Sequence, residues 1–126
     1  MKSYGQVLVV DDSSTSRMII QRCIEMAGIS VSNYFFAENG LDAYASLRIN
    51  TGIELVITDI NMPKMDGRTF ATLMRGDPAM EKIAIVIVSS IADSALETEL
   101  RSLGVKSVVK KPVSPAKMLQ ALGGES

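Results

Sequence analysis

The chain has 126 residues, a size suited to one domain with a single core. Its 13 basic and 14 acidic residues nearly cancel, which leaves no electrostatic footprint for nucleic acid or an anionic membrane surface. Histidine is absent, and this excludes Ser-His-Asp and Cys-His catalysis, histidine-ligated zinc and phosphohistidine chemistry within the chain.

Cys23 is the sole cysteine, so no internal disulfide is available and a reducing cytoplasm is the expected compartment. No apolar run reaches the ~18 residues of a membrane span. The first residues lead straight into a short apolar strand and then Asp11-Asp12, with no small-residue cleavage site, so no signal peptide is expected.

Along the chain, short apolar runs alternate with longer helical patterns. Residues 6–10 read as a first strand. A helix is expected over 14–27, with Met18, Ile19, Cys23, Ile24 and Ala27 as its inward stripe and Gly28 closing it. Residues 31–36 read as strand two and 39–49 as helix two, capped by Asn39. Strand three is expected over 54–58, and helix three over 68–75, ended by Asp77-Pro78. Residues 83–88 form strand four. Helix four is expected over 92–103, with Leu96, Leu100 and Leu103 at helical spacing before Gly104. Strand five covers 106–109, and Ser114-Pro115 opens helix five, which runs to Leu122.

Five βα units predict an α/β fold, a doubly wound parallel sheet with helices on both faces. Residues 7–10, 55–57 and 83–88 are continuous apolar runs, as strands covered on both faces should be. Ser32 and Asn33 mark strand two as an edge, and the flanking lysines mark strand five as the other. The expected order is therefore 2-1-3-4-5, flavodoxin-like, with any ligand beyond the carboxyl ends of the strands. One domain is expected over 1–126, with its core over about 5–122 and a tail at 123–126.

The strand ends carry the chemistry. Strand one ends in Asp11-Asp12, strand three in Asp59, strand four in Ser89-Ser90 and strand five in Lys110-Lys111-Pro112. Crowded carboxylates need a cation, and an all-oxygen set of high charge suits Mg2+. A carboxylate can also act as the nucleophile that forms an aspartyl phosphate. Phosphoryl transfer asks mainly for positioning and for neutralised oxygens. Lys111 offers a point charge, Ser89 a hydroxyl, and the start of helix one its backbone N–H groups. Taken singly, most of these residues are explained as caps, turns or solvated charges. Asp11-Asp12 could cap a helix, but Ser13, Ser14 and Thr15 already can. Four strand ends converging on one crevice favour a site.

These residues closely resemble the receiver domain of two-component response regulators, especially the small chemotaxis type. The resemblance covers about residues 5–122. Its most specific stretch is Thr58-Asp59-Ile60-Asn61-Met62-Pro63-Lys64-Met65-Asp66-Gly67, together with Val9-Val10-Asp11-Asp12-Ser13 and Lys111-Pro112. The resemblance implies that Asp59 is the phosphoacceptor and that Lys111 binds the phosphoryl group, with Ser89 turning toward it. It further implies that Asp12 and Asp59 bind Mg2+ directly, Asp11 partly through water and Asn61 through its backbone carbonyl. Lys110 should point to the other face of its strand. The implied partners are a sensor histidine kinase or histidine phosphotransfer protein as donor, and a downstream protein target. Val108 stands where the family often carries a mobile Tyr or Phe, so the usual way of signalling phosphorylation is missing. Two rival readings are a phosphatase with an aspartyl phosphate intermediate, which would want an acid where Asn61 stands, and an unphosphorylated interaction module.

Overall fold

The structure is a computed structural model that describes residues 3–91 and 93–123. Five parallel strands form one sheet in the order β2-β1-β3-β4-β5. They are β1 (Ser3–Val10), β2 (Ser30–Ala37), β3 (Leu55–Asp59), β4 (Ala84–Ser89) and β5 (Ser107–Lys110). The helices are α1 (Ser14–Met26), α2 (Gly40–Ile49), α3 (Gly67–Arg75), α4 (Ser94–Ser102) and α5 (Pro115–Met118). The doubly wound architecture and strand order are those expected from the pattern.

Strand alternation divides the core in two. Leu8, Val10, Val56, Ile85 and Ile87 project to one face, where α2, α3 and α4 cover them with Ala43, Leu47, Phe70, Met74, Leu96 and Leu100. Val7, Val9, Leu55, Ile57, Val86 and Val88 project to the other, against Ile20, Cys23 and Ile24 of α1 and Met118 and Leu122. The three central strands are thus buried on both faces.

Side-chain caps begin the helices where the sequence offers them. Ser13, Asn39, Asp66, Asp93 and Ser114 each accept a backbone N–H from the first turn that follows. Gly28 and Gly104 adopt φ of 80° and 78°, the left-handed conformation that ends α1 and α4 with least strain.

Several boundaries and orientations differ from expectation. β1 starts at Ser3, because Tyr4 is already buried and its hydroxyl donates to the Leu122 carbonyl at 3.0 Å. Met18 and Ile19 are 54% and 46% exposed; the buried stripe of α1 is Ile20, Cys23 and Ile24. The helix is rotated because its spacing is satisfied by the 20/23/24/27 set once α5 packs beside it. Gly76 ends α3, whereas Asp77 caps a separate 3-10 turn, Pro78–Met80. α4 begins at Ser94, since Asp93 takes the cap; Ala92, the expected start, lies outside the described residues. After α5 the chain widens into a π-helical turn, Leu119–Gly123, so Gly123 belongs to the fold and not to a tail. The rest of the expected tail, 124–126, lies outside the described residues.

Arg75 is the structural residue that the sequence pattern conceals. Its guanidinium donates to the carbonyls of Met80, Glu81, Ile83, Leu103 and Gly104 at 2.9–3.4 Å. One side chain therefore ties the end of α3 to the entry of β4 and to the α4–β5 turn. Burial lowers its pKa from the ordinary value, and the five carbonyl dipoles replace the water it has lost.

Candidate functional site

The carboxyl ends of β1, β3, β4 and β5 meet at one edge of the sheet. Asp11 follows β1 directly and is fully buried. Its Oδ1 accepts the Ser13 N–H at 3.0 Å, and its carbonyl accepts from Arg17 Nη1 at 2.6 Å. Ser13 also caps α1, so the acidic pair is not needed for capping. Asp12 is exposed, and Asp59, the last residue of β3, is buried. One carboxylate oxygen from each of Asp11, Asp12 and Asp59 falls within 4.8 Å of the others.

Lys111 completes the cluster. Its Nζ stands 3.4 Å from Asp11 Oδ2 and 3.4 Å from Asp59 Oδ2. The Lys111-Pro112 peptide bond is cis, and the Lys111 N–H donates to the Ser89 carbonyl at 2.8 Å. This bond joins the β4 and β5 ends beside the carboxylates. Lys110 is exposed, and its backbone carbonyl accepts from Lys117 Nζ at 3.0 Å.

Electrostatics in the cluster are opposed. Burial raises the Asp59 pKa above its ordinary 3.8, Lys111 pulls it down, Asp11 pushes it up, and the Ile60 N–H, donating to Oδ1 at 2.8 Å, lowers it. The net direction is upward. One ammonium does not fully compensate three carboxylates, so the cluster suits a further hard cation.

The loop from 60 to 66 carries Asn61 and is tightly closed. The Gly67 N–H donates to the Ile60 carbonyl at 2.8 Å, and the Gly40 N–H to the Met65 carbonyl at 3.0 Å. A Cβ on Gly67 would overlap the Asp59 carbonyl oxygen, so only glycine lets α3 start this close to β3. Met65 N–H donates to the Pro63 carbonyl at 2.6 Å around Lys64, whose φ is 66°. This is a strained γ-turn in the same loop as Asn61, which is exposed. The sequence reading missed the strain at Lys64 and the Arg17 anchor; neither residue type signals its backbone role.

Ser89 is fully buried at the end of β4, and its Oγ accepts the Ile91 N–H at 3.0 Å. The expected hydroxyl is therefore at the site edge but committed to its own loop. Two backbone N–H groups around the start of α1 are likewise committed, Ser13 to Asp11 and Ser16 to the Ser13 hydroxyl. Val108 is flanked by two cavities of about 300 and 290 Å³, one reaching Arg101 and Lys117 and the other Ile91 and Leu96.

A family model for the response regulator receiver domain matches residues 7–123. The chain belongs to this family. The receiver domain is 32% identical over 117 residues to the chemotaxis protein CheY1 of Helicobacter pylori, an alignment covering 93% of each chain. It is also 34% identical over 109 residues to the sensor histidine kinase CheAY of the same organism, covering 86% of this chain and 13% of that protein. Among solved structures, the CheX-CheY-BeF3-Mg+2 complex from Borrelia burgdorferi matches with a TM-score of 0.80 and 28% identity, covering 93% of this chain and 85% of that one. Receiver domains are signalling switches of two-component systems, and they bind Mg2+ through acidic residues. The clustered carboxylates of Asp11, Asp12 and Asp59 fit such a hard ion, being all oxygen and incompletely neutralised. No helix among the described residues is long and apolar enough to cross a membrane.

Proposed function

We propose that this receiver domain, over the whole chain, accepts a phosphoryl group on Asp59 from a phosphohistidine carried by a sensor histidine kinase or phosphotransfer protein, and thereby changes a surface read by a downstream protein. The observation that carries this reading is Lys111 Nζ placed 3.4 Å from both Asp11 and Asp59 at the rim of a three-carboxylate cluster. An Asp59 carboxylate oxygen attacks phosphorus, the P–N bond to the donor imidazole breaks, and the imidazole takes a proton. Lys111 balances charge on the transferred oxygens. Asp11, Asp12, Asp59 and the Asn61 carbonyl would hold Mg2+, which neutralises phosphoryl charge when bound.

These 126 residues contain no histidine, so such a donor lies outside them. The likeness to part of a sensor histidine kinase, and a relative described with BeF3 and Mg+2, support this chemistry. A cytoplasmic setting fits it. The domain promotes its own phosphorylation and dephosphorylation and turns over no separate substrate.

Acetyl phosphate with Mg2+ should add one phosphoryl mass to the wild-type chain and none to Asp59→Asn, read by intact-mass spectrometry. Equal labelling of the two would move the acceptor elsewhere. Sustained hydrolysis of small phosphomonoesters would replace the switch with a phosphatase.

A further inference from the structure

The ammonium of Lys111 lies between two acids and is bound closely to neither. It stands 3.4 Å from an oxygen of Asp11 and 3.4 Å from one of Asp59, whereas a close charge-assisted bond spans about 2.7–2.9 Å. Its stem borders a cavity of about 100 Å³ shared with Ser16, Ile19, Ile20 and Val113, so packing leaves the side chain room to move. The direction of Lys111 therefore depends on its backbone. One anchor of that backbone is the Lys111 N–H, which donates to the Ser89 carbonyl at 2.8 Å.

A second lysine supplies the other anchor. Lys117 Nζ donates to the Lys110 carbonyl at 3.0 Å and to the Pro112 carbonyl at 2.9 Å, one residue before Lys111 and one after it. Among the described residues no carboxylate pairs with the Lys117 ammonium, so these carbonyls are its partners. Lys117 is itself well fixed. Its N–H donates at 3.1 Å to the Ser114 hydroxyl that caps α5, and the adjacent Met118 is fully buried. Lys110 and Pro112 are exposed, so water would satisfy both carbonyls if the ammonium were lost. The two bonds thus add little to folding, and what they fix is the placement of the loop against α5.

We propose that Lys117 is a positioning residue for phosphoryl transfer: by holding the carbonyls on either side of Lys111, it sets the backbone from which Lys111 reaches between Asp11 and Asp59. This inference rests on the reading of Asp59 as phosphoacceptor. Without the tie, the loop shifts relative to α5 and Lys111 leaves the place where the transferred oxygens need a positive charge. A displacement of about 1 Å in such a group can cost ~100-fold in rate, and a loop still held at Ser89 should lose about tenfold.

The test is the rate of Asp59 labelling by acetyl phosphate in saturating Mg2+, read by intact-mass spectrometry. Lys117→Met keeps the apolar stem and should label about tenfold more slowly than wild type. In a Lys111→Met background the same change should have no further effect, because the group it positions is already gone. Lys117→Arg still offers donors to both carbonyls and should recover most of the rate. Mg2+ titrated alone by amide NMR should bind Lys117→Met at least as tightly as wild type, since Lys111 competes for the same carboxylates. General damage to the site would weaken that binding. Labelling of Lys117→Met at the wild-type rate overturns the proposal. So does a loss that persists undiminished in the Lys111→Met background, a loss that Lys117→Arg shares in full, or weaker Mg2+ binding by Lys117→Met. A wild-type chain that takes no phosphoryl group on Asp59 overturns the phosphoacceptor reading instead, and this proposal with it.

Discussion

Replacing Asp59 with asparagine should make the metal-free domain more stable. The carboxylates of Asp11 and Asp12 each offer an oxygen within 4.8 Å of one on Asp59, a separation at which unit charges repel by about 3.5 kcal/mol in an effective dielectric of ~20. Lys111, at 3.4 Å, attracts by about 5 kcal/mol on the same footing. Asp12 is exposed, so water screens its repulsion, and the Asp11 repulsion alone falls short of the Lys111 attraction; the net penalty, on the order of 1–2 kcal/mol, comes from burial of the Asp59 carboxylate. For a domain of this size that penalty corresponds to a rise of roughly 3–10 °C in Tm.

The assay is thermal or urea unfolding of both chains at neutral pH with a chelator present. Added Mg2+ should narrow the gap by stabilising the wild type. The pH dependence has a definite sign. Because burial raises the folded-state pKa of Asp59 above 3.8, its penalty is fully present above that raised value and fades as pH falls toward 3.8. The advantage of Asp59→Asn should shrink over the same range. An asparagine variant no more stable than wild type at neutral pH would refute the electrostatic account of the cluster.

Arg75→Met keeps an apolar stem but abandons five carbonyl contacts, and should cost about 1–3 kcal/mol, because three partly buried carbonyls lose a charged donor. A drop in Tm below ~3 °C would show that those carbonyls are satisfied without it. With beryllofluoride as a phosphoryl mimic, Ser89 must release the Ile91 N–H before its hydroxyl can turn toward the site. Amide shifts should therefore be large at Ser90, Ile91, Asp93 and Ser94 and small at Lys106, Ser107 and Val108, since valine cannot swing as a ring can. Comparable shifts in both groups would contradict this.

Much of this molecule was legible because strands and their ends obey strong local rules. The apolar runs at 7–10, 55–57 and 83–88 marked the central strands, and the charged or hydroxyl residues following them marked the crevice. What escaped notice depended on tertiary context. Arg75 reads as an ordinary charge in the last turn of a helix, since its partners are backbone carbonyls that carry no sequence signal. Met18 and Ile19 satisfy helical spacing as well as Ile20 and Ile24 do, and only packing beside α5 fixes the rotation. Ser89 was correctly placed at the strand end, but the direction of its hydroxyl follows from the turn to Ile91. Gly67 ended the most specific stretch of the resemblance, but nothing in the sequence marked its backbone as the one lying against the Asp59 carbonyl.

The hydrogen bond from Tyr4 to the Leu122 carbonyl brings the first strand and the last helical turn together. β1 begins there and reaches Asp11 only after eight residues, roughly 25 Å away along the sheet. A fluorophore or surface tether attached near Ser3 or Gly123 thus stands at the pole opposite the carboxylates. Immobilising the domain near Ser3 or Gly123 leaves the crevice facing the solution. Tyr4 and Leu122 are also near enough for a short linker to join their neighbourhoods, which suits the domain to circular permutation with new ends opened in an exposed turn.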